Sequence, residues 1–168
     1  MPVRALVRFP DPRLARTAAV VGAFGDDLAA LIEDIRDTLV SEAAIGLTAP
    51  HLGVSQRVFM TRMAPEATPR AYVNPIVLEA SAEMASHDEG SVSMPGIRER
   101  VTRPARIRLR YADPGGALHE EIAEGFEAAV LQHEIDQLDG LFWIHRLSRL
   151  KRDRLLKRFG KLPVAGDA

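Results

Sequence analysis

Gln132-His133-Glu134-Ile135-Asp136-Gln137-Leu138 is the stretch on which the reading of this chain turns. Apolar Ala129, Val130, Ile135 and Leu138 lie around it, and Asp139-Gly140 supplies a stop, so a helix is expected from about Phe126 to Leu138. On a helix, His133 and position 137 are one turn apart and face the same way. A second histidine there would complete H-E-x-x-H, which puts two imidazoles on one zinc with the glutamate beside them as general base. This chain has Gln137 instead. A bare His-Glu pair is commonplace on helices, so the segment by itself reads as surface decoration.

Outward from it, Leu28, Leu31, Ile32, Ile35 and Leu39 recur every three or four residues, which predicts an amphipathic helix near 26–42 with Asp26 as N-cap. A Gly/Pro-punctuated loop spans 44–53, and strand-like runs follow at 56–61 and 71–79. Ile107, Leu109 and Tyr111 alternate with Arg106, Arg108 and Arg110, the pattern of a half-buried strand. The turn Asp113-Pro114-Gly115-Gly116 then predicts a hairpin partner at 117–123. Residues 1–25 read as an extended arm, and a basic helix is expected over about 147–159. Helices and short strands without regular alternation mean an α+β fold, here in one domain over 1–168.

The chain has 168 residues, long enough to build a core without disulfide or metal. With 22 Lys and Arg against 23 Asp and Glu, it has no whole-molecule attraction to nucleic acid, although a local basic patch remains open. There is no long apolar run and no leader-like start, so no membrane association and a cytoplasmic location are expected. The absence of cysteine removes thiolate nucleophiles, redox thiols and sulfur-bound metal sites together.

Two upstream segments change the weight of the His-Glu helix: the loop around Gly46, and Glu89-Gly90-Ser91-Val92-Ser93 ahead of Met94-Pro95-Gly96. With the helix they resemble, in order and at similar spacing, the three motifs of the peptide deformylase family. Those motifs read Gly-x-Gly-φ-Ala-Ala-x-Gln, Glu-Gly-Cys-φ-Ser and His-Glu-x-Asp-His, with φ apolar. The resemblance also takes in Pro10-Asp11-Pro12, Leu14, Asn74-Pro75, Val101, Arg103-Pro104 and Gly140-Leu141-Phe142, and so covers about residues 4–150. It implies a peptide-deformylase-like α+β fold with mixed β-sheets around the central His-Glu helix. It further implies ferrous iron or zinc held by the Cys and both His, with the glutamate, here Glu134, as general base and acid. The Gln of the first motif and the backbone N–H after the Cys, here at His51 and Val92, would face the oxyanion. The implied substrate is the N-formylmethionyl end of a new polypeptide.

The departures from the pattern fall on the chemistry. Ser91 stands at the Cys position, Gln137 at the second His and His51 at the Gln; Ala44 replaces the first Gly, and Thr48-Ala49 the Ala pair. A neutral hydroxyl and an amide oxygen are poor donors for iron or zinc. Ser91, His133 and Gln137 are therefore expected to be vestigial ligand positions that hydrogen-bond one another, with no cofactor and weak or absent deformylation. One alternative is a rewired Fe2+ or Zn2+ site using His51, His133 and an oxygen of Glu134 or Ser91. A Ser91–His133 nucleophile pair is a further one, with no obvious group to orient the imidazole. Positions matching the family's peptide pocket are Ile45, Gly46, Leu47, Val92, Arg98, Ala129 and Val130, which suggests peptide N-termini as ligands. Eight cations between Arg146 and Lys161 suggest ribosomal or other RNA as a partner.

Overall fold

A computed structural model describes residues 3–163. Three helices occur in it: α1 (Asp26–Ser41), α2 (Gly125–Leu138) and α3 (Arg149–Gly160). Seven strands accompany them: β1 (Gly46–Thr48), β2 (Val58–Thr61), β3 (Arg70–Ala80), β4 (Met84–Ser91), β5 (Met94–Pro104), β6 (Arg106–Ala112) and β7 (Leu118–Glu124). They form a five-stranded sheet in the order β1-β2-β3-β6-β7 and a separate two-stranded hairpin, β4-β5. The fold class is α+β, as the sequence suggests.

The sheets differ from expectation in direction. Every pairing between these strands is antiparallel, and the parallel component is one isolated bridge, Ala19 with Gln56. Strands that follow one another through turns, with no crossover helix between them, pair this way. The helix α1 starts at Asp26 as expected, but Gly25 is its N-cap, and Asp26 and Asp27 instead place negative charge in the first turn. The 44–53 loop contains β1 and a short 3-10 turn at Ala49–Leu52. The β4-β5 hairpin is absent from the sequence reading.

Both faces of the five-stranded sheet are covered in part. One side of the core gathers Leu28, Ile32, Ile35 and Leu39 of α1 with Leu47, Val58, Met60 and Val73. Another packs Ala128, Leu131, Ile135 and Leu138 of α2 on Phe59, Tyr72, Ile107 and Leu109. A third joins Met94, Ile97 and Val101 of β5 to Phe142, Trp143, Ile144 and Leu155. The helix α2 thus runs between the sheet and the hairpin, and residues on every side of it are buried, Gln132, Glu134, Asp136 and Gln137 among them. Its polar side chains are pressed against other elements, and that burial makes them a site.

Candidate functional site

A cavity of about 480 Å3 opens where α2, β1, the 3-10 turn and the β4-β5 hairpin meet. Its wall includes Ile45, Gly46, His51, Ser91, Val92, Arg98, Ala129, Val130, His133 and Glu134. Leu47, expected among the pocket residues, is fully buried in the α1 side of the core instead. Side chains alternate along a strand, so Gly46 can face the cavity only if Leu47 turns away from it.

Glu134 sits at the floor. A Cβ on Gly46 would lie 2.2 Å from its Oε1, so the β1 backbone approaches the carboxyl closer than any other residue would allow. Its Oε2 is buried without a hydrogen-bond partner. Burial, with the nearby charge of Glu89, pushes its pKa up to about 7 against the opposing pull of His133 and Arg103.

His133 is fixed from behind. Its Nδ1 lies 2.8 Å from Glu89 Oε1 and donates to that carboxylate. Arg103 grips Glu89 through Nε and Nη2 at 2.6 and 2.9 Å, and reaches Asp136 with Nη1 at 2.7 Å. Arg146 closes the chain on Asp136 at 2.8 and 2.7 Å. Burial disfavours imidazolium, but the hydrogen bond to Glu89 and the charges of Glu134 and Glu89 outweigh it, and the His133 pKa is raised. Glu89 goes the other way: burial opposes ionisation, and His133 and Arg103 together hold it well below the usual carboxylate range.

His51 is held in one tautomer. The Thr48 N–H donates to its Nδ1 at 3.0 Å, and the Thr48 hydroxyl lies 2.9 Å from the same atom. Nδ1 therefore carries the lone pair and Nε2 the proton. Burial and the neighbouring His133 push the pKa down to about 3, so the ring is neutral. The Nε2–H is buried with no partner.

The expected mutual hydrogen bonding of Ser91, His133 and Gln137 does not occur. Ser91 Oγ accepts from the Ser93 N–H at 3.1 Å, and Gln137 Nε2 donates to the Leu14 carbonyl at 2.7 Å, away from the cavity. Each finds a nearer backbone group, because a buried amide or hydroxyl takes whichever partner costs no rearrangement. His133 pairs with Glu89, which supplies the orienting group that a serine–histidine pair lacked in the sequence, although no Ser91–His133 hydrogen bond is present. Arg146 also leaves the basic tail, because its guanidinium is spent on buried Asp136. Sequence reasoning assigned no role to Thr48, Arg103 or Asp136. Arg103 carried a faint signal, a cation in a strand that becomes 3% exposed.

The fold sets a buried His-Glu helix against an open cleft of about 480 Å3. The polypeptide deformylase family profile matches residues 3–153, and the chain belongs to that family. It is 51% identical to a peptide deformylase-like protein of Bradyrhizobium diazoefficiens, over 96% of this chain and 95% of that one. It is 40% identical to a peptide deformylase of Afipia carboxidovorans, over 96% of each. The crystal structure of peptide deformylase from Ehrlichia chaffeensis superposes with a TM-score of 0.88 at 30% identity, over 95% and 96% of the two chains.

The family implies a metal, and the residues present do not fit one. Among the described residues, no three His, Cys, Asp or Glu are grouped to hold an ion. The Ser91 hydroxyl and the Gln137 amide are engaged with backbone groups. His51 could donate a lone pair only by moving its proton to Nδ1, where it would oppose the Thr48 N–H. That leaves His133 and an oxygen of Glu134, where a catalytic metal needs three protein ligands.

Proposed function

We propose that this chain is a deformylase-like protein that holds the amino ends of peptides and has weak or no deformylase activity, with no resident metal. The observation that carries the reading is the Gln137 amide on the Leu14 carbonyl, which leaves His133 without a second donor on its helix. The cavity, lined by apolar Ile45, Ala129 and Val130 beside polar groups at its floor, is of the size and character of a ligand site.

The test is metal content and formyl-peptide turnover on protein prepared anaerobically with ferrous iron, and separately with zinc. Far less than one equivalent and no turnover are expected. Near-stoichiometric metal, with turnover lost in Glu134→Gln, would overturn the reading in favour of a rewired site through His51 and His133. The double substitution Ser91→Cys with Gln137→His is expected to raise both metal content and turnover. Supporting that outcome, Glu89 already takes one ring N–H of His133, and the Leu14 carbonyl stands where a histidine at 137 could donate.

A second reading, RNA binding through α3, is favoured by the exposure of Arg149, Lys151, Arg154, Lys157, Arg158 and Lys161. Salt-sensitive binding to RNA that is lost when Arg154, Lys157 and Lys161 become glutamate would support it. Truncation is the poorer probe, because Leu155 is a core residue.

A further inference from the structure

Glu89 and Ser91 are two residues apart on β4, and both line the cavity, so they point to one face of the hairpin. His133 meets that face from α2. Its Nδ1–H donates to Glu89, which in the neutral ring leaves the Nε2 lone pair for the cavity. Arg103 clamps Glu89 from behind, so the direction of the imidazole is fixed. The Ser91 hydroxyl accepts from the Ser93 N–H, and its own hydrogen has no acceptor among the described residues. A carboxylate, an imidazole and a hydroxyl with a hydrogen to give therefore share one wall, in the order a nucleophilic serine requires. The contact between such a serine and its base often tightens only once substrate is bound.

The turn that carries His51 supplies a donor. His51 Nε2–H is fixed in place, because Nδ1 is committed to the Thr48 N–H, and it is buried without a partner in a side chain only 2% exposed. An unmet N–H in a dry cavity is what the anionic oxygen of a tetrahedral intermediate needs. Val92, the residue after the serine, lines the same cavity and offers its backbone N–H as a second donor. Glu134 Oε2, also buried without a partner, is an acceptor for a water. At the mouth, the exposed carboxylates of Glu42 and Asp88 outnumber the guanidinium of Arg98, which favours a neutral molecule over an acid.

We propose that the chain is a serine hydrolase of small neutral carboxylic esters, with Ser91 as nucleophile, His133 as base and His51 as oxyanion donor. The inference goes beyond the peptide-end reading but rests on its metal-free site, since a bound ion would take the His133 lone pair. Ser91 Oγ bonds to the ester carbon as its proton passes to His133 Nε2, and the carbonyl oxygen, now anionic, accepts from His51 Nε2–H. The intermediate collapses with loss of the alcohol, which takes the proton from His133. A water held at Glu134 then gives a proton to His133 and attacks the acyl-serine. The carboxylic acid leaves as that proton returns to Ser91 Oγ. Glu89 is a positioning residue that keeps Nε2 turned to the cavity. An ester suits the site better than an amide, because an alcohol leaves more readily than an amine.

The experiment follows p-nitrophenyl acetate turnover by the full chain, with and without EDTA, and maps the acylated residue by mass spectrometry. A burst of about one equivalent of nitrophenolate is expected, with the acetyl group on Ser91 and no effect of EDTA. Ser91→Ala should lower turnover by more than about 100-fold, and His51→Phe by about 100-fold. Glu89→Gln should lower kcat by about 100-fold, while a fluorophosphonate still labels Ser91 to completion, only more slowly. A variant that has merely lost part of its folded population would instead label incompletely. The same reagent should label Ser91 in the wild type, which tests the nucleophile even where a variant fails to fold. No burst, a label on another residue, or turnover indifferent to Ser91→Ala overturns this inference and leaves the metal-free peptide-end reading standing. Turnover abolished by EDTA and restored by zinc overturns that reading as well. An acetyl group that stays on Ser91 without hydrolysis overturns the step assigned to Glu134.

Discussion

The two sides of α2 are built on opposite terms. Behind the helix, Arg103 lies between Glu89 and Asp136, and His133 and Arg146 close the two ends of the network. In front of it, His51 Nε2 and Glu134 Oε2 face the cavity with no protein partner. The rear holds charge that is satisfied inside the protein, and the front holds polarity left for something else. The difference explains how Ser91, His51 and Gln137 can depart from the family pattern on one scaffold. The groups that position α2 and the hairpin are elsewhere, and none of them depends on a metal. Replacements that break this contrast should cost much at the rear and little at the front.

The largest expected effect is at the rear. Arg103→Met removes the cation between two buried carboxylates, and should destabilise the protein by about 3–5 kcal/mol in urea unfolding. Most of that cost is the stranded charge of Glu89, since Asp136 keeps its two hydrogen bonds from Arg146, and not the lost attraction. Adding Glu89→Gln should therefore recover part of it. A loss below about 1 kcal/mol would mean that water reaches the network and that the rear is no firmer than the front.

Gly46→Ala comes next, where strand meets helix. The new Cβ would fall 2.2 Å from Glu134 Oε1, and either β1 or the carboxyl must move. A loss of about 2–3 kcal/mol is expected, with more than half restored when Glu134→Ala is added, because the two residues share one contact. Gln137→Leu follows, at about 1–2 kcal/mol, through the unpaired Leu14 carbonyl. Gln137→His should cost less than Gln137→Leu, since a ring N–H can replace the amide.

The frame of this contrast was legible in the sequence, and its working parts were not. Periodicity found α1, because only one face of that helix is apolar and buried. The helix α2 is enclosed on all sides, so its polar residues look like surface until the structure shows them buried. The β4-β5 hairpin escaped for a related reason: Met84–Ser91 is mostly polar and half-buried, with no clean alternation. The positions of Ser91, His133 and Gln137 were readable as an altered set, but their partners were not. Those partners are the Ser93 N–H and the Leu14 carbonyl, and backbone groups carry no residue-type signal. Thr48 and His51 are the informative pair, two departures from one motif, three residues apart, that touch each other at Nδ1.

The smallest effect is the one that tests the front directly. Glu134 is 4% exposed, and its Oε2 makes no hydrogen bond, so the folded state bears a desolvation cost that the charges of His133 and Arg103 offset only in part. Glu134→Leu removes that cost and keeps most of the volume. It should leave stability unchanged, or raise it by up to about 1 kcal/mol, while Glu134→Gln should fall between the two. Equilibrium urea unfolding with an unchanged slope is the measurement. A loss above about 2 kcal/mol would show that the carboxyl has a structural partner across the cavity. The front would then be as closed as the rear, and the two unmet atoms would no longer describe a ligand. A neutral or stabilising result means that the protein keeps Glu134 against its own stability. A buried acid that the fold does better without is retained for what it meets in the cleft.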